Sequence, residues 1–466
     1  MPISTRLILM AALGAVGAVQ PCPAVAQGLY YKEVLKDERY YVFNDAAQAE
    51  AWEKSGEMGR AITRPGAGPN GETVIADSER ALQLFFFRHG ISEPVPEPQP
   101  PVMRVEWRDG KTRIATDNAY MELGNRVQLR YTHELPDEAI TLPGTGGPGD
   151  SRGSFRIRRA KTKFEGWIWR KNLTYELQMN WPAVSSSNPG ALLEDASLAW
   201  DPQGEGTFRV VVGQFKVPFG RQELTSSGNQ QFVDRSLVSN EYARGRDGGL
   251  AVQGVLFGNR LEYRAGLFNG NGLTRSANDN GTFQYNARLM WQPNASQNLV
   301  HRAWVSGPLY SEADFESGDT PIYAVGLNFE RNDFHRTTPE NDLRSTAVGM
   351  DGVFKFRGFS GTGEVFWRSR EPEEGERFDA DGWYVQAGQM LNRRRTWEAA
   401  LRYGWRDVNE SIENRDVTEV RGGLSYYDRR HALKVQADAG RIGTQLGPGS
   451  GTRHDTEIRL QAQFIF

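Results

Sequence analysis

"LTYELQMNW", residues 173–181, decides the fold of this chain. Leu173, Tyr175, Leu177, Met179 and Trp181 fall on one face of an extended backbone, and Thr174, Glu176, Gln178 and Asn180 on the other. Side chains alternate across a strand, so the stretch has one continuous apolar face and one hydrated face. A strand of a soluble, secreted β-rich protein would read the same way; repetition separates the two cases. "RLEYRAGLF" (260–268) sets Leu261, Tyr263, Ala265 and Leu267 against Arg260, Glu262, Arg264 and Gly266. "FQYNARLMW" (283–291), "WEAALRYGW" (397–405) and "VRGGLSY" (420–426) do the same. The segments approach the length of about 9–11 residues that a tilted strand needs to cross a bilayer.

The connections alternate as well. Short turns sit at "RKN" (170–172), "GN" (258–259), "RG" (357–358), "NRRR" (392–395) and "DRR" (428–430). Longer polar loops sit at 132–154, 182–190, 218–247, 270–281, 331–343, 369–381, 406–417 and 441–454. Short periplasmic turns and long outer loops are the asymmetry of an outer-membrane barrel. With both termini on the periplasmic side the strand number is even. Treating 292–320 as a periplasmic connection keeps the two kinds of connection in phase. The strands are then 119–131, 155–169, 173–181, 191–200, 207–217, 248–257, 260–269 and 282–291 in the first half. The second half holds 321–330, 344–356, 359–368, 382–391, 396–405, 418–427, 431–440 and 455–466, sixteen strands in all. A pair of short strands within 292–320 would make eighteen.

Trp181, Trp200, Trp291, Trp367, Trp397 and Trp405 fall at strand ends, where interfacial girdles form. The chain closes on "IRLQAQFIF" (458–466), an alternating strand ending in Phe, like the C-terminal recognition signal of outer-membrane barrels. A closed barrel pairs every backbone group and has no edge, so one apolar face per strand suffices in lipid. This reconciles a membrane reading with 24% charged residues. The expected fold is an all-β transmembrane barrel of about 16 antiparallel strands, preceded by a small α+β periplasmic module.

Residues 1–26 read as a signal peptide: Arg6, an apolar run over 7–19, and Ala24-Val25-Ala26 as a cleavage site. Cys22, the only cysteine, lies in this leader after Val19-Gln20-Pro21, which lacks lipobox residues. A mature chain without cysteine excludes disulfides and thiolate metal sites. "PVPEPQPP" (94–101) reads as a stiff spacer, so 94–102 is a proline-rich linker between a module at 27–93 and the barrel at 103–466. In the module, "ERYYVFN" (38–44) and "ALQLFFF" (81–87) read as strands, and "RPGAGPNGE" (64–72) as a turn region. Asp45 caps a helix from Ala46 to Lys54, with Ala49 and Trp52 toward the strands. The chain carries 55 basic and 58 acidic residues, and neither part is basic enough for nucleic-acid binding.

"RIRRAKTKFEG" (156–166), "VVGQFKVPFGRQELTSS" (211–227), "FVDRSLVSNEYARGRDGGLAVQG" (232–254), "GLFNGNG" (266–272) and "GFSGTGEVFW" (358–367) resemble the phosphate-selective porin O/P family. The resemblance covers about 103–466 and leaves 28–93 outside. It implies a sixteen-stranded, usually trimeric porin in the outer membrane of a Gram-negative bacterium, passing small inorganic anions. It also implies a third loop, here 218–247, that folds inward and narrows the pore.

Candidate pore-lining or anion-binding residues are Arg159, Lys161 and Lys163, which share a register opposite Ala160, Thr162 and Phe164, joined by Lys216. The inward loop adds Arg221, Arg235, Arg244 and Arg246, whose guanidinium forks suit phosphate oxygens. The same loop carries Glu223, Asp234, Glu241 and Asp247, so its formal charge cancels. Elsewhere Arg264, Arg288, Lys355, Arg402, Arg421, Lys434 and Arg459 face inward with Glu176, Glu262, Asp351, Glu364, Glu398, Asp438 and Glu457. The expectation is a porin for passive diffusion of small hydrophilic solutes, with at most a modest anion or phosphate preference. The alternative is a barrel that anchors a tether, with 27–93 binding peptidoglycan or a periplasmic partner.

No enzyme or cofactor is expected. "RHGISEP" (88–94) falls short of the RHGxRxP start of histidine phosphatases, because Ser92 replaces the second Arg and no room remains for a catalytic domain. The six histidines show no ligand spacing, and "NDNG" (278–281) and "DADG" (379–382) read as turns.

Overall fold

The computed structural model describes residues 30–91, 103–108, 110–137, 151–183, 193–273, 277–278, 280–293, 307–334, 343–373, 375–407, 409, 415–447 and 451–466. The expected leader and linker lie outside the described residues. The chain divides into two compact units on either side of Pro100 and Pro101.

The first unit is a four-stranded sheet with a helix on each face. β1 (Lys32–Lys36) and β2 (Arg39–Phe43) form a hairpin; β3 (Ile62–Arg64) and β4 (Thr73–Ala76) follow helix α1 (Ala46–Ser55), giving the order β1-β2-β4-β3. Asp45 caps α1 by accepting the Ala47 N–H at 2.8 Å, and Ala49 and Trp52 bury against Phe43. Both match the sequence expectation. The other face is covered by α2 (Glu79–His89), and here the reading of 81–87 as a strand is corrected. Ala81, Leu82, Phe85 and Phe86 are the buried residues, a helical spacing that packs on Val42 and Val74. The β-propensity of "LFFF" was outweighed by local signals at both ends. Ser78 accepts the Ala81 N–H at 3.1 Å as an N-cap, and Gly90 ends the helix in the left-handed region.

The second unit begins with a hairpin that sequence periodicity missed, β5 (Arg104–Arg108) and β6 (Lys111–Ala115). The barrel follows. Its first half is β7 (Ala119–Leu135), β8 (Arg152–Ile168), β9 (Leu173–Asn180), β10 (Leu193–Trp200), β11 (Arg209–Lys216), β12 (Arg246–Leu256), β13 (Leu261–Phe268) and β14 (Gln284–Trp291). Two short helices, α3 (Arg221–Leu224) and α4 (Leu237–Tyr242), interrupt the β11–β12 connection. The second half is β15 (Ile322–Phe334), β16 (Leu343–Phe356), β17 (Phe359–Pro372), β18 (Phe378–Met390), β19 (Trp397–Asp407), β20 (Val417–Tyr427), β21 (Leu433–Gln445) and β22 (Thr452–Ile465).

Each barrel strand pairs antiparallel with the next, and β22 pairs with β7 from Arg126 onward, closing sixteen strands. Phe466 completes the seam by exchanging backbone hydrogen bonds with Asn125 at 2.6 and 2.9 Å. Below the seam β6 takes the place of β22 beside β7. Gly110, at the tip of the β5–β6 turn, has φ +75°, and a Cβ there would meet the Ile465 carbonyl at 2.9 Å, so only glycine fits. The described residues of 292–320 hold no strand, only a single 3₁₀ turn at Pro308–Tyr310; residues 294–306 lie outside the description.

The polarity of the barrel is inverted relative to a soluble protein. Leu198, Val212, Leu250, Leu289, Leu327, Val385 and Leu460 are exposed on the outside. Their neighbours in register, among them Gln253, Arg288, Asn328, Gln386 and Gln461, are buried inside. Trp181, Trp200, Trp291 and Trp397 are exposed at strand ends; Trp367, expected at an end, is exposed but lies inside β17, which runs on to Pro372, and Trp405 is half-buried. This is the pattern of a wall that faces lipid on one side and a polar lumen on the other.

Candidate functional site

Two connections fold into the lumen, one from each end. The first is the β11–β12 loop, as expected, although Arg246 and Asp247 already belong to β12. The second is the described part of the β14–β15 connection, residues 307–320, which enters from the end that carries the short turns. Leu309, Tyr310, Ala313 and Asp314 are buried there.

The loop crosses the lumen and is pinned to the far wall. Arg221 Nε donates to Asp351 at 2.8 Å, the Gln222 N–H to Glu364 at 2.6 Å, and the Val233 N–H to Asp438 at 3.0 Å. Near its end the ring of Tyr242 stacks on Phe366, with centroids 5.3 Å apart, and its carbonyl accepts from Arg368 at 2.6 Å. Residues 307–320 meet the loop from below. The Glu312 carboxylate accepts from the Gln222 side chain at 2.9 Å and the Gln231 N–H at 2.7 Å, and its own N–H donates to Asn229 at 2.9 Å. Glu312 thus joins both inward segments. Ser311 meets His431 Nε2 at 3.0 Å in the β20–β21 turn. Burial, with the charges of Lys434, Lys355 and Arg430 after it, holds the His431 pKa well below its usual value, so the ring stays neutral.

The space left open runs along the opposite wall. A cavity of about 320 Å³ lies between β7–β13 and the loop, and a second of about 520 Å³ continues it toward the short-turn end past Glu176, Ser197 and Arg209. Ten basic side chains border the first cavity against three carboxylates, Glu176, Glu194 and Asp195. Of the eight candidates from the sequence, Arg159, Lys161, Lys163, Lys216, Arg235 and Arg246 border it. Arg221 and Arg244 do not: Arg221 is 2% exposed, and Arg244 pairs with Glu330 at 2.7 Å. Arg264, expected to face inward, borders it as well, and so do Arg126, Arg158 and Arg209, which were not singled out from sequence.

Two β-bulges concentrate this charge. In β8, Gln128 faces Arg159 while Leu129 faces Ile157, so Arg158 is an extra residue and both Arg158 and Arg159 reach the cavity. In β10, Met179 faces Leu193 while Gln178 faces Asp195, so Glu194 is extra and two adjacent carboxylates point inward. Strict period-two reading places only one member of each pair in the lumen.

Pairing then decides which cations are available. Arg246 grips Asp195 with two bonds at 2.9 and 2.8 Å, Lys161 pairs with Glu194, and Lys163 lies 2.9 and 3.1 Å from Glu165 and Glu176. Arg235 lies 3.0 Å from Glu223. Asp234, on the loop, is shared by Arg130, Arg158, Arg159 and Arg459. Lys216 donates to the carbonyls of Glu223, Leu224 and Thr225 at the end of α3. Arg126 donates to the Ser226 and Ser227 hydroxyls at 2.7 and 3.1 Å rather than to a carboxylate.

The family model of phosphate-selective porins O and P matches residues 141–466. In fold, the chain is similar to an anion-selective porin from Comamonas acidovorans, at 12% identity and a TM-score of 0.51, over 75% of this chain and 100% of that one. It is also similar to the outer-membrane channel DcaP of Acinetobacter baumannii, at 10% identity and a TM-score of 0.52, over 75% and 98%. An uncharacterized protein of Aquifex aeolicus is 22% identical over 248 residues, which span 49% of this chain and 58% of that protein.

Proposed function

This chain belongs to the phosphate-selective porin O and P family, and from that premise we propose that its channel favours small inorganic anions. The coarser statement is that it is an outer-membrane channel for small solutes. The observation that carries the finer one is the ten-to-three excess of basic over acidic side chains around the open cavity. A pore selects by the side chains at its narrowest point, so the balanced charge of the whole barrel matters less than this local excess. Guanidinium forks beside serine hydroxyls, as at Arg126, suit the oxygens of phosphate. In this reading no side chain performs catalysis, the assembly is a homotrimer, and residues 30–91 form a periplasmic module. That module has its own core, which favours a second role as a contact for peptidoglycan or another periplasmic partner.

The test is reconstitution of the mature protein in a planar bilayer, with reversal potential measured in a KCl gradient and phosphate then titrated. We expect a chloride-favouring potential and block by phosphate. Arg126→Gln removes a cation without releasing a carboxylate, and should move the reversal potential toward cations. Lys161→Gln with Lys163→Gln also frees Glu194 and Glu176, and should move it further. A wild-type channel without anion preference, or an unmoved potential in all variants, would overturn the anion reading while leaving a general diffusion porin.

A further inference from the structure

The open passage changes character along its length. The first cavity is bordered by ten basic side chains against three acidic ones. The second, of about 520 Å³, has three against four: Lys111, Lys171 and Arg209, with Glu122, Glu165, Glu176 and Asp201. Glu176, Ser197 and Arg209 border both spaces. Chloride or free phosphate makes use of the first space alone, and the larger, nearly neutral one calls for another part of a solute.

Two rows of side chains build the second cavity. In the first row Glu122 of β7 is opposite Glu165 of β8, and Glu165 is opposite Glu176 of β9. Like charges directly opposite on a sheet repel, and here cations are set between them. Lys111 meets Glu122 and lies 3.3 Å from Glu165, Arg113 donates to Glu122 at 3.0 Å, and Lys163 joins Glu165 to Glu176. Asp201 is engaged as well, accepting the Gly204 and Gly206 N–H groups at 2.8 Å. The row is thus close to neutral yet dense in donors and acceptors. Thr174 and Ser197 add hydroxyls, and that of Ser197 makes no hydrogen bond among the described residues. Two residues nearer the short-turn end lies an aromatic row, in which Tyr120 is opposite Trp167 and both border the cavity. Trp167 shares the register of Lys163 and Glu165, on the lumen side, whereas Trp181, Trp200, Trp291 and Trp397 are exposed outside. Anchoring in lipid does not call for a tryptophan inside the barrel.

Resting on the anion preference put forward above, we propose that the solute is a phosphorylated polyol, with a sugar phosphate as the type. Its phosphate occupies the basic first cavity, and its hydroxyl-bearing body the second. A sugar ring has a C–H face and a hydroxyl edge. The face packs on Trp167 and Tyr120, and the edge exchanges hydrogen bonds with the glutamate row, Thr174 and Ser197. An ammonium-bearing phosphate ester fits less well, because each acid of the second cavity already has a cation or a backbone partner. A plain alkyl phosphate leaves the polar row without partners, which costs binding.

The test is block of the chloride current through the reconstituted protein in planar bilayers, with each probe added to both sides. The probes are inorganic phosphate, glucose 6-phosphate, butyl phosphate and phosphocholine. Glucose 6-phosphate should block at a concentration about tenfold below inorganic phosphate, the step that one good aromatic stack contributes. Butyl phosphate and phosphocholine should block no better than inorganic phosphate. Trp167→Leu should raise the half-blocking concentration of glucose 6-phosphate about three- to tenfold and leave block by inorganic phosphate unchanged. Unheated gel mobility checks that the barrel is folded, and Tyr120→Leu serves if Trp167→Leu is not. The comparison of the four probes on wild type stands without any variant. Several results would overturn the proposal while leaving the anion preference in place: glucose 6-phosphate blocking no better than inorganic phosphate, being equalled by butyl phosphate or phosphocholine, or being unaffected by Trp167→Leu. Equal weakening of both blocks by that variant would do the same. A wild-type channel without anion preference would overturn both readings.

Discussion

The two walls of this barrel are alike in sequence and unlike in use. Along β15–β22 the inward charges are consumed by neighbours on the wall and by the segments that fill the lumen: Asp351 by Arg288 of the wall and Arg221 of the loop, Glu364 by the Gln222 N–H of the loop, and Asp438 by Arg421 and Arg459 of the wall and the Val233 N–H of the loop. Along β7–β13 the inward charges border open space. Both walls show the same alternation of apolar and polar residues, since alternation records only which face is lipid. Which wall borders open space is decided by where the β11–β12 loop and residues 307–320 lie. A balanced set of charges becomes a basic passage because the filled wall takes most of the acids out of reach.

The comparison can be broken at the joints between the walls. The largest effect is expected for Asp234→Ala, which strips a shared carboxylate from Arg130, Arg158, Arg159 and Arg459. Leaving buried cations uncompensated costs about 3–5 kcal/mol. The folded barrel should lose heat resistance on unheated-versus-heated gels, where unchanged mobility transitions would contradict the role given to Asp234. Next is Glu312→Ala, which separates residues 307–320 from the loop and leaves the Gln222 side chain and Gln231 N–H without their acceptor. Each orphaned donor costs about 1–3 kcal/mol. Single-channel conductance should rise and larger polyethylene glycols should enter; an unchanged size cut-off would mean that the filled wall does not depend on this link.

The smallest effect is expected from pH. His431 is neutral in the fold with a depressed pKa, whereas in an opened turn it would take a proton near about 6.5. The open form then binds more protons, so the contribution of His431 is present above that value and fades as pH falls below it. Acidification should loosen the Ser311 contact and raise current noise, and His431→Gln should remove that dependence. Noise that is independent of pH in wild type would dismiss the switch.

Particular residues show how far sequence reaches here. All sixteen barrel strands were legible because each must hide its backbone in the same way and keep one face apolar. The inward folding of the third loop followed from resemblance rather than periodicity. Helix α2 was misread because three consecutive phenylalanines favour a strand, while the Ser78 cap and the spacing of Ala81, Leu82, Phe85 and Phe86 favour a helix. Arg158 and Glu194 could not be placed, because a one-residue bulge inverts the side-chain parity that the whole reading relies on. Arg126 was overlooked for the same kind of reason: its significance lies in the serines it meets a hundred residues away.

The sequence by itself determined the architecture: a repeating two-residue period, alternating short and long connections and an aromatic end leave a closed barrel as the only structure that lipid tolerates. Tertiary structure alone decided which charges are structural and which face solute. The physical reason is that a strand's pattern is a local response to its two environments, lipid and lumen. The fate of a charge inside the lumen depends on partners brought from elsewhere in the chain, through loops whose sequences carry no period.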